Sequence, residues 1–298
     1  MNPSLIDEIR DFFLKGSVLS RLIGINIAIF VFFGLVRVLF FLIDAPSAYD
    51  GIINWFGVPS NFEVLIRRPW TIISYMFLHF DFFHILFNMI MLYIGGRLFR
   101  DFLGEERLTG TYLIGGLVGA LFFIVAYNIF PVFVEIKTVA VAIGASASVL
   151  AIFVGIATYM PNYQLPLLIL GRIRLKYIAL FFVVIDLISI DKGNSGGHLA
   201  HLGGALWGFL YISLLKQGKD PGKAVSNLVR IVAGVFKPKP KMRVEYRNRR
   251  PLSDDEYNRQ RLKGQKKMDE ILDKISKHGY DSLTSQEKET LFKLSNKE

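Results

Sequence analysis

The residues best suited to chemistry lie in three separate stretches. Ser146 lies in Gly-Ala-Ser-Ala-Ser at residues 144–148, and His201 lies in a stretch rich in histidine and glycine at 198–208. The third stretch holds His84 and Asn88. A serine hydroxyl beside an imidazole base is the arrangement of nucleophilic acyl transfer. The residue types therefore predict acyl-transfer chemistry, provided that the fold brings them together.

Small residues surround Ser146. We expect Ser146 to open a helix, whose unpaired N–H groups and positive dipole end suit a developing oxyanion, and Gly144 to leave room for a substrate backbone. The alternative is a small-residue patch for helix packing, which is common in membrane proteins. Ser148 points to nearly the opposite face of that helix and is the weaker nucleophile candidate.

The second stretch pairs histidine with a glycine seam. The spacing Gly204-x-x-x-Gly208 lets a neighbouring helix approach at backbone distance. If that neighbour begins at Ser146, His201 can reach its hydroxyl and act as general base. The alternative is a structural histidine held by a hydrogen bond.

His84 and Asn88 lie four residues apart, so a helix places them on one face. An imidazole and an amide can both donate hydrogen bonds to a tetrahedral oxyanion, and loss of one such donor costs about 10²–10³ in rate. The alternative is a structural inter-helix hydrogen bond worth about 1 kcal/mol.

A metal site needs consideration because His198 and His201 are three residues apart. No His-Glu-x-x-His pattern is present, and that pattern supplies the general base of many zinc proteases. Asp186, within an apolar segment, is the acid that could serve as a ligand or a base. We expect no metal and no other cofactor.

Hydropathy shows which elements must position these residues. The 298 residues are 52% hydrophobic, and residues 22–43 contain one charge, Arg37, which predicts a membrane-spanning helix. The sequence predicts an all-α, polytopic membrane protein built as a six-helix bundle. Its apolar segments fall at about 22–43, 82–98, 108–130, 146–160, 177–190 and 199–215.

The fourth segment is short, at about 22 Å of helix against a hydrocarbon core of about 30 Å. An apolar but irregular stretch, 131–145, precedes it. Irregular backbone at membrane depth is tolerated where protein or a water-filled cavity surrounds it. We therefore expect Ser146 to lie below the outer membrane surface, in a wet pocket.

Charge placement predicts the orientation. With the N-terminus inside, nine basic residues fall on inner segments and four on outer ones, which favours both termini in the cytoplasm. Residues 1–21 are charged and amphipathic, so we expect the first span to act as its own insertion signal. The protein is expected in the cell membrane or an inner membrane.

Composition excludes several classes of function. The chain has no cysteine, so disulfides, thiolate metal sites and a cysteine nucleophile are excluded. Of the net charge of +10, residues 216–298 carry +9, from 21 Lys and Arg against 12 Asp and Glu. A basic tail after a membrane domain fits anionic lipid at the cytoplasmic face, so we expect no nucleic-acid partner.

The chain divides into four predicted parts. An amphipathic segment (1–21) precedes a six-span domain (22–215), a basic linker (216–252) and a small helical segment (253–298). In the last part, Ser253-Asp-Asp-Glu256 is a capping box that predicts a helix ending at His278-Gly279, and Thr284-Ser-Gln-Glu287 predicts a shorter helix after it.

These motifs together resemble the rhomboid family of intramembrane serine proteases. The resemblance covers about residues 20–215 and rests on His79 through Asn88 (HFDFFHILFN) with Gly95-Gly96, Gly-Ala-Ser-Ala at 144–147, and Ala-His-Leu-Gly-Gly at 200–204. It implies a protease whose substrates are transmembrane proteins that unwind into an outward-facing cavity. Its oligomeric state and physiological substrate are not implied.

The resemblance also implies roles for single residues. Ser146 would be the nucleophile and His201 the base, as a dyad without a third carboxylate. His84, Asn88 and the Ser146 N–H would form the oxyanion hole. His79 and Trp70 match structural positions of the family.

The sequence departs from the family pattern at three points. Ala147 replaces the commoner glycine, which we expect to narrow the pocket. Leu150 stands where several members carry an aromatic residue under the histidine, and the arginines in Arg67-Arg-Pro-Trp70 precede the tryptophan. The alternative functions are a catalytically inactive rhomboid-like protein that binds membrane clients and a proton-coupled transporter, although no internal repeat supports transport.

Overall fold

The membrane domain is a bundle of apolar helices, as the hydropathy pattern predicts. The structure is a computed structural model that describes residues 16–167, 171–223 and 253–295. Most of the predicted amphipathic segment and of the predicted basic linker lies outside the described residues. The described residues fall into two compact units, one within residues 1–238 and the other within residues 239–298.

Six helices of the described membrane domain correspond to the six predicted segments. Four are long and apolar enough to cross a membrane, and two have 14 residues each. Their bounds are α1 Val18–Leu42, α5 Phe82–Leu103, α6 Glu105–Ile129, α7 Ser146–Tyr159, α8 Leu175–Ile188 and α9 Ser195–Lys216.

Short elements fill the connection between α1 and α5. They are α2 Pro46–Phe56, β1 Val58–Pro59, α3 Phe62–Arg67, α4 Thr71–Ser74 and a 3₁₀ turn at Tyr75–Phe77. The indole N–H of Trp70 donates to the Trp55 carbonyl (3.0 Å), and the Arg68 guanidinium lies 4.1 Å from the centre of the Trp55 ring. These contacts therefore hold the end of α2 against the segment between α3 and α4.

Two short strand pairs occur among the described residues, and the hydropathy pattern did not predict them. In the first, β1 pairs antiparallel with β2 Val141–Ala142, which lies in the irregular stretch before α7. In the second, β3 Gln164–Leu167 pairs with β4 Gly171–Arg174 between α7 and α8. Runs of two to four residues are too short for a strand periodicity to stand out from the apolar background.

Helix α7 lies at the centre of the bundle and packs against α5, α6, α8 and α9. Every side chain from Ala147 to Ala157 is buried. A methyl group at Gly204 or Gly208 of α9 would overlap the carbonyl oxygens of Ala147 and Ala151. The predicted glycine seam therefore packs α9 directly against the backbone of α7.

The C-terminal unit contains α10 Asp254–His278, a 3₁₀ turn at Tyr280–Ser282 and α11 Ser285–Ser295. Both halves of the predicted capping box form, since the Ser253 hydroxyl accepts from the Glu256 N–H and the Glu256 carboxylate accepts from the Ser253 N–H. Gly279 ends α10 with φ +77°. These helix boundaries agree with the prediction from the sequence.

Candidate active site

The backbone before α7 is shaped to present Ser146 as the first helical residue. Gly144 has φ +137°, a conformation that side chains disfavour, and its N–H donates to the Tyr75 carbonyl (2.9 Å). The Tyr75 hydroxyl in turn donates to the Gly116 carbonyl on α6 (2.6 Å). The N-cap Ala145 makes no side-chain hydrogen bond to the helix start, so N–H groups there remain available to a ligand.

Helix α9 brings His201 to Ser146. The Nε2 atom of His201 lies 2.6 Å from the Ser146 Oγ. The two side chains meet because Gly204, one turn beyond His201, allows α9 to lie against the carbonyl of Ala147. The predicted neighbour of the glycine seam is therefore the helix that carries the serine.

A carboxylate completes the polar cluster, in contrast to the dyad that the family resemblance implies. Asp186 of α8 is buried, and its Oδ1 lies 2.8 Å from the Nδ1 of His201 and 2.8 Å from the Nδ1 of His198. Sequence reasoning noted Asp186 as a ligand or base but left it out of the site. The position of this acid within a spanning segment was the available signal. Placing a carboxylate inside a membrane costs free energy, so the default interpretation of such a residue is a functional one.

The same three side chains have the composition of a metal site. One ligand atom each from Asp186, His198 and His201 lies within 4.8 Å of the others. Two imidazoles and one carboxylate suit zinc, which would need a fourth ligand such as water. A cation there would displace the hydrogen bonds between the imidazoles and the carboxylate, since both use the same atoms.

His84 and Asn88 lie on the cavity side of α5, on the face that their spacing predicts. The Phe80 N–H approaches the Nδ1 of His84 (3.4 Å), which leaves Nε2 to carry the ring proton. The Asn88 amide donates to the His84 carbonyl (2.9 Å), and its second N–H hydrogen remains for a ligand.

Gly144 separates His84 from Ser146. A methyl group built on Gly144 would lie 3.0 Å from the His84 Nε2 and 3.3 Å from the Ser146 Oγ. The space left by the missing side chain is therefore bounded by a hydrogen-bond donor on one side and by the hydroxyl on the other. A small anionic oxygen fits such a position chemically.

Three further residues from the sequence analysis lie away from the reacting groups. His79 is buried with its ring centre 5.0 Å from that of His84, and among the described residues neither of its nitrogens has a hydrogen-bond partner. Ser148 is fully buried and faces Gly116 of α6. Ala147 does not narrow the pocket as expected, because its methyl group faces Gly119 of α6.

The serine, the aspartate, the asparagine and two of the histidines of the site line one cavity of about 870 Å³. Its lining includes Ser146, His201, Asp186 and Leu150, together with aromatic side chains of α5 such as Phe83. In this largely apolar cavity, the hydroxyl can attack a carbonyl carbon once the base removes its proton. The two hydrogen-bond donors can then stabilise the resulting oxyanion.

Comparison with known proteins gives two family matches. A model of the rhomboid domain matches residues 67–218, which are 152 of the 298 residues. A model described as a family of unknown function (DUF6576) matches residues 253–297. The two matched regions do not overlap.

Individual relatives are distant. The chain is 29% identical over 161 residues to "RHOMBOID-like protein 12, mitochondrial" of Arabidopsis thaliana, covering 51% of this chain and 48% of that protein. It is 26% identical over 199 residues to "Presenilin-associated rhomboid-like protein, mitochondrial" of Rattus norvegicus, covering 61% and 48%. It is 25% identical over 184 residues to "Putative rhomboid protease YdcA" of Bacillus subtilis (strain 168), covering 61% and 84%. The chain thus spans about half the length of the first two relatives.

Proposed function

The chain belongs to the rhomboid family of integral membrane proteins, and from this premise we propose that it is an intramembrane serine endopeptidase. The observation that carries the proposal is the 2.6 Å separation between the Ser146 Oγ and the His201 Nε2 at the cavity. The substrates would be transmembrane proteins, cut within or near a spanning segment.

The reaction begins when the Ser146 Oγ attacks the scissile carbonyl carbon while His201 Nε2 takes the hydroxyl proton. The tetrahedral oxyanion accepts hydrogen bonds from the His84 Nε2–H, the Asn88 amide and the Ser146 N–H. When the C–N bond breaks, the proton on His201 passes to the leaving amine. An ester then joins the substrate acyl group to Ser146.

Water completes the cycle. His201 Nε2 removes a proton from the water as its oxygen attacks the ester carbonyl, and the same donors hold the second oxyanion. The Ser146 oxygen leaves and regains its proton from His201. The product departs as a carboxylic acid and loses its proton to solvent. The Ser146–His201 pair thus returns to its starting protonation.

A fluorophosphonate probe tests this proposal because it reacts with an activated serine hydroxyl. Detergent-purified protein is expected to be labelled at Ser146 and to cleave a reporter that carries one transmembrane segment. Ser146→Ala and His201→Gln are expected to abolish both signals, whereas Ser148→Ala is expected to keep the label at Ser146. Normal expression of wild-type protein without labelling or cleavage would favour the client-binding alternative.

The proposed topology places both termini in the cytoplasm of a cell or inner membrane. It treats residues 22–215 as the protease domain, 216–252 as a basic linker and 253–298 as a helical segment. Single cysteines test the orientation, since the chain has none of its own. A membrane-impermeant maleimide added to intact cells should label Asp191→Cys and leave Asn162→Cys unlabelled.

A further inference from the structure

Resting on the proposed protease function, we infer that Asp186 is a positioning residue that extends the Ser146–His201 pair into a Ser–His–Asp triad. It acts through His201, whose ring it orients and whose tautomer it fixes. The three residues come from three separate helices, α7, α9 and α8.

The hydrogen-bond geometry carries the inference. An ionised carboxylate can only accept hydrogen bonds, so the 2.8 Å contact between Asp186 Oδ1 and His201 Nδ1 requires the proton on Nδ1. The Nε2 of the neutral ring is then unprotonated, and it faces the Ser146 Oγ at 2.6 Å. This tautomer is the one that a general base needs.

Burial gives a second, independent reason. Asp186 is the acid of a 14-residue apolar helix, and only 6% of its surface is exposed. A carboxylate inside the membrane is costly, and such residues pair with other polar groups. Its two imidazole partners supply that pairing, and one of them touches the proposed nucleophile.

The neighbouring imidazole plays a different part. His198 donates to the same Asp186 oxygen (2.8 Å), which satisfies the carboxylate without involving Ser146. Its ring centre lies 6.0 Å from that of His201, with the two rings nearly perpendicular. Loss of His198 therefore leaves the bond between Asp186 and His201 available.

Leu150, a neighbouring side chain of the cavity, does not supply this selection of the tautomer. It lies one turn after Ser146 and lines the cavity, but its side chain offers no hydrogen bond. An apolar side chain cannot select one imidazole tautomer over the other. Asp186 supplies that selection from α8.

Nitrogen NMR of full-length protein labelled with ¹⁵N-histidine in detergent micelles tests the inference directly. The His201 signals are assigned by their loss in His201→Gln. In wild-type protein they are expected to report the Nδ1–H tautomer. In Asp186→Asn they are expected to move toward the Nε2–H tautomer, because the amide can donate to Nδ1. Asp191→Asn, an exposed acid outside the cavity, is the matched control and should leave the tautomer unchanged.

Cleavage kinetics of the same proteins give the functional readout. Asp186→Asn is expected to lower kcat by at least about 100-fold with little change in KM. His198→Gln is expected to lower it by less than about tenfold, and Asp191→Asn should match wild type. Wild-type kcat in Asp186→Asn, or an Nε2–H tautomer in wild-type His201, would overturn the inference while leaving the serine protease intact.

Two other outcomes also decide the matter. If wild-type protein neither reacts with fluorophosphonate nor cleaves the reporter, the proposed function fails and the triad with it. If purified protein holds about one equivalent of zinc that is lost in His198→Gln, the cluster is a metal site instead. Metal-free protein with full activity supports the triad.

Discussion

Ser146 Oγ and His201 Nε2 lie 2.6 Å apart although 55 residues separate them in the chain. The contact depends on backbone packing at two points, since Gly204 seats α9 against the Ala147 carbonyl and Gly144 turns the chain into α7. Substitutions at these glycines should therefore affect catalysis although neither residue takes part in proton transfer.

Gly144→Ala is expected to abolish most cleavage. The alanine would hold an unfavourable φ of +137° at a cost of about 1–3 kcal/mol, and its methyl group would fill the space between His84 Nε2 and Ser146 Oγ. Reporter cleavage and thermal unfolding in detergent measure the two effects. Gly218→Ala is the matched control, because Gly218 has φ +81° but no atom near the added methyl. Equal activity in the two variants would contradict the proposed oxyanion position.

Gly204→Ala is expected to lower stability by about 1–3 kcal/mol, because the methyl group would overlap a backbone carbonyl that cannot move aside easily. Cleavage should fall as well, since α9 would move away from the serine. The unfolding midpoint in detergent is the measurement. Gly34→Ala in α1, where the added methyl meets nothing within 4 Å, should leave both properties unchanged or raise stability slightly. A wild-type midpoint for Gly204→Ala would argue against this packing.

His84→Ala and Asn88→Ala are each expected to lower kcat by about 10²–10³ with little change in KM, because in the proposed mechanism these donors bind the oxyanion of the transition state. Steady-state cleavage of a reporter measures this. Asn128→Ala serves as a control for loss of an amide, because its side chain donates to the carbonyls of Ser60 and Ile124 rather than to the cavity. A change confined to KM would assign His84 and Asn88 to substrate binding instead.

The stability of the first turn of α11 should depend on pH. The Lys274 ammonium and then the Thr284 N–H and hydroxyl lower the pKa of Glu287 to about 2. Because this pKa lies below the ordinary value of 4.5, the ionised carboxylate stabilises the helix above pH 4.5, and that contribution is lost as the pH falls toward 2.

Hydrogen exchange of peptides from residues 285–292 measures this effect, after correction for intrinsic exchange. Protection should decrease between pH 4.5 and 2, and Glu287→Gln should show reduced protection already at pH 7. Glu270→Gln, at an exposed acid on α10, is the control and should behave as wild type. Unchanged protection in Glu287→Gln would remove the role assigned to this carboxylate.

The sequence by itself was enough to predict the membrane helices and to single out most of the polar residues that line the cavity. Apolar length predicted the spans, the Ser253–Glu256 box and Gly279 predicted the limits of α10, and the glycine seam predicted a close helix contact near His201. Each of these signals is local, because it depends on hydropathy, capping or backbone conformation within a few residues.

The tertiary structure alone decided which side chains touch. It placed Asp186 against His201 and turned the methyl group of Ala147 toward α6, away from the cavity. It also formed the β1–β2 pair, which joins residues more than 80 positions apart. The physical reason is that a span's hydropathy fixes its length and depth in the membrane, whereas its rotation about its own axis is set by packing against neighbouring helices.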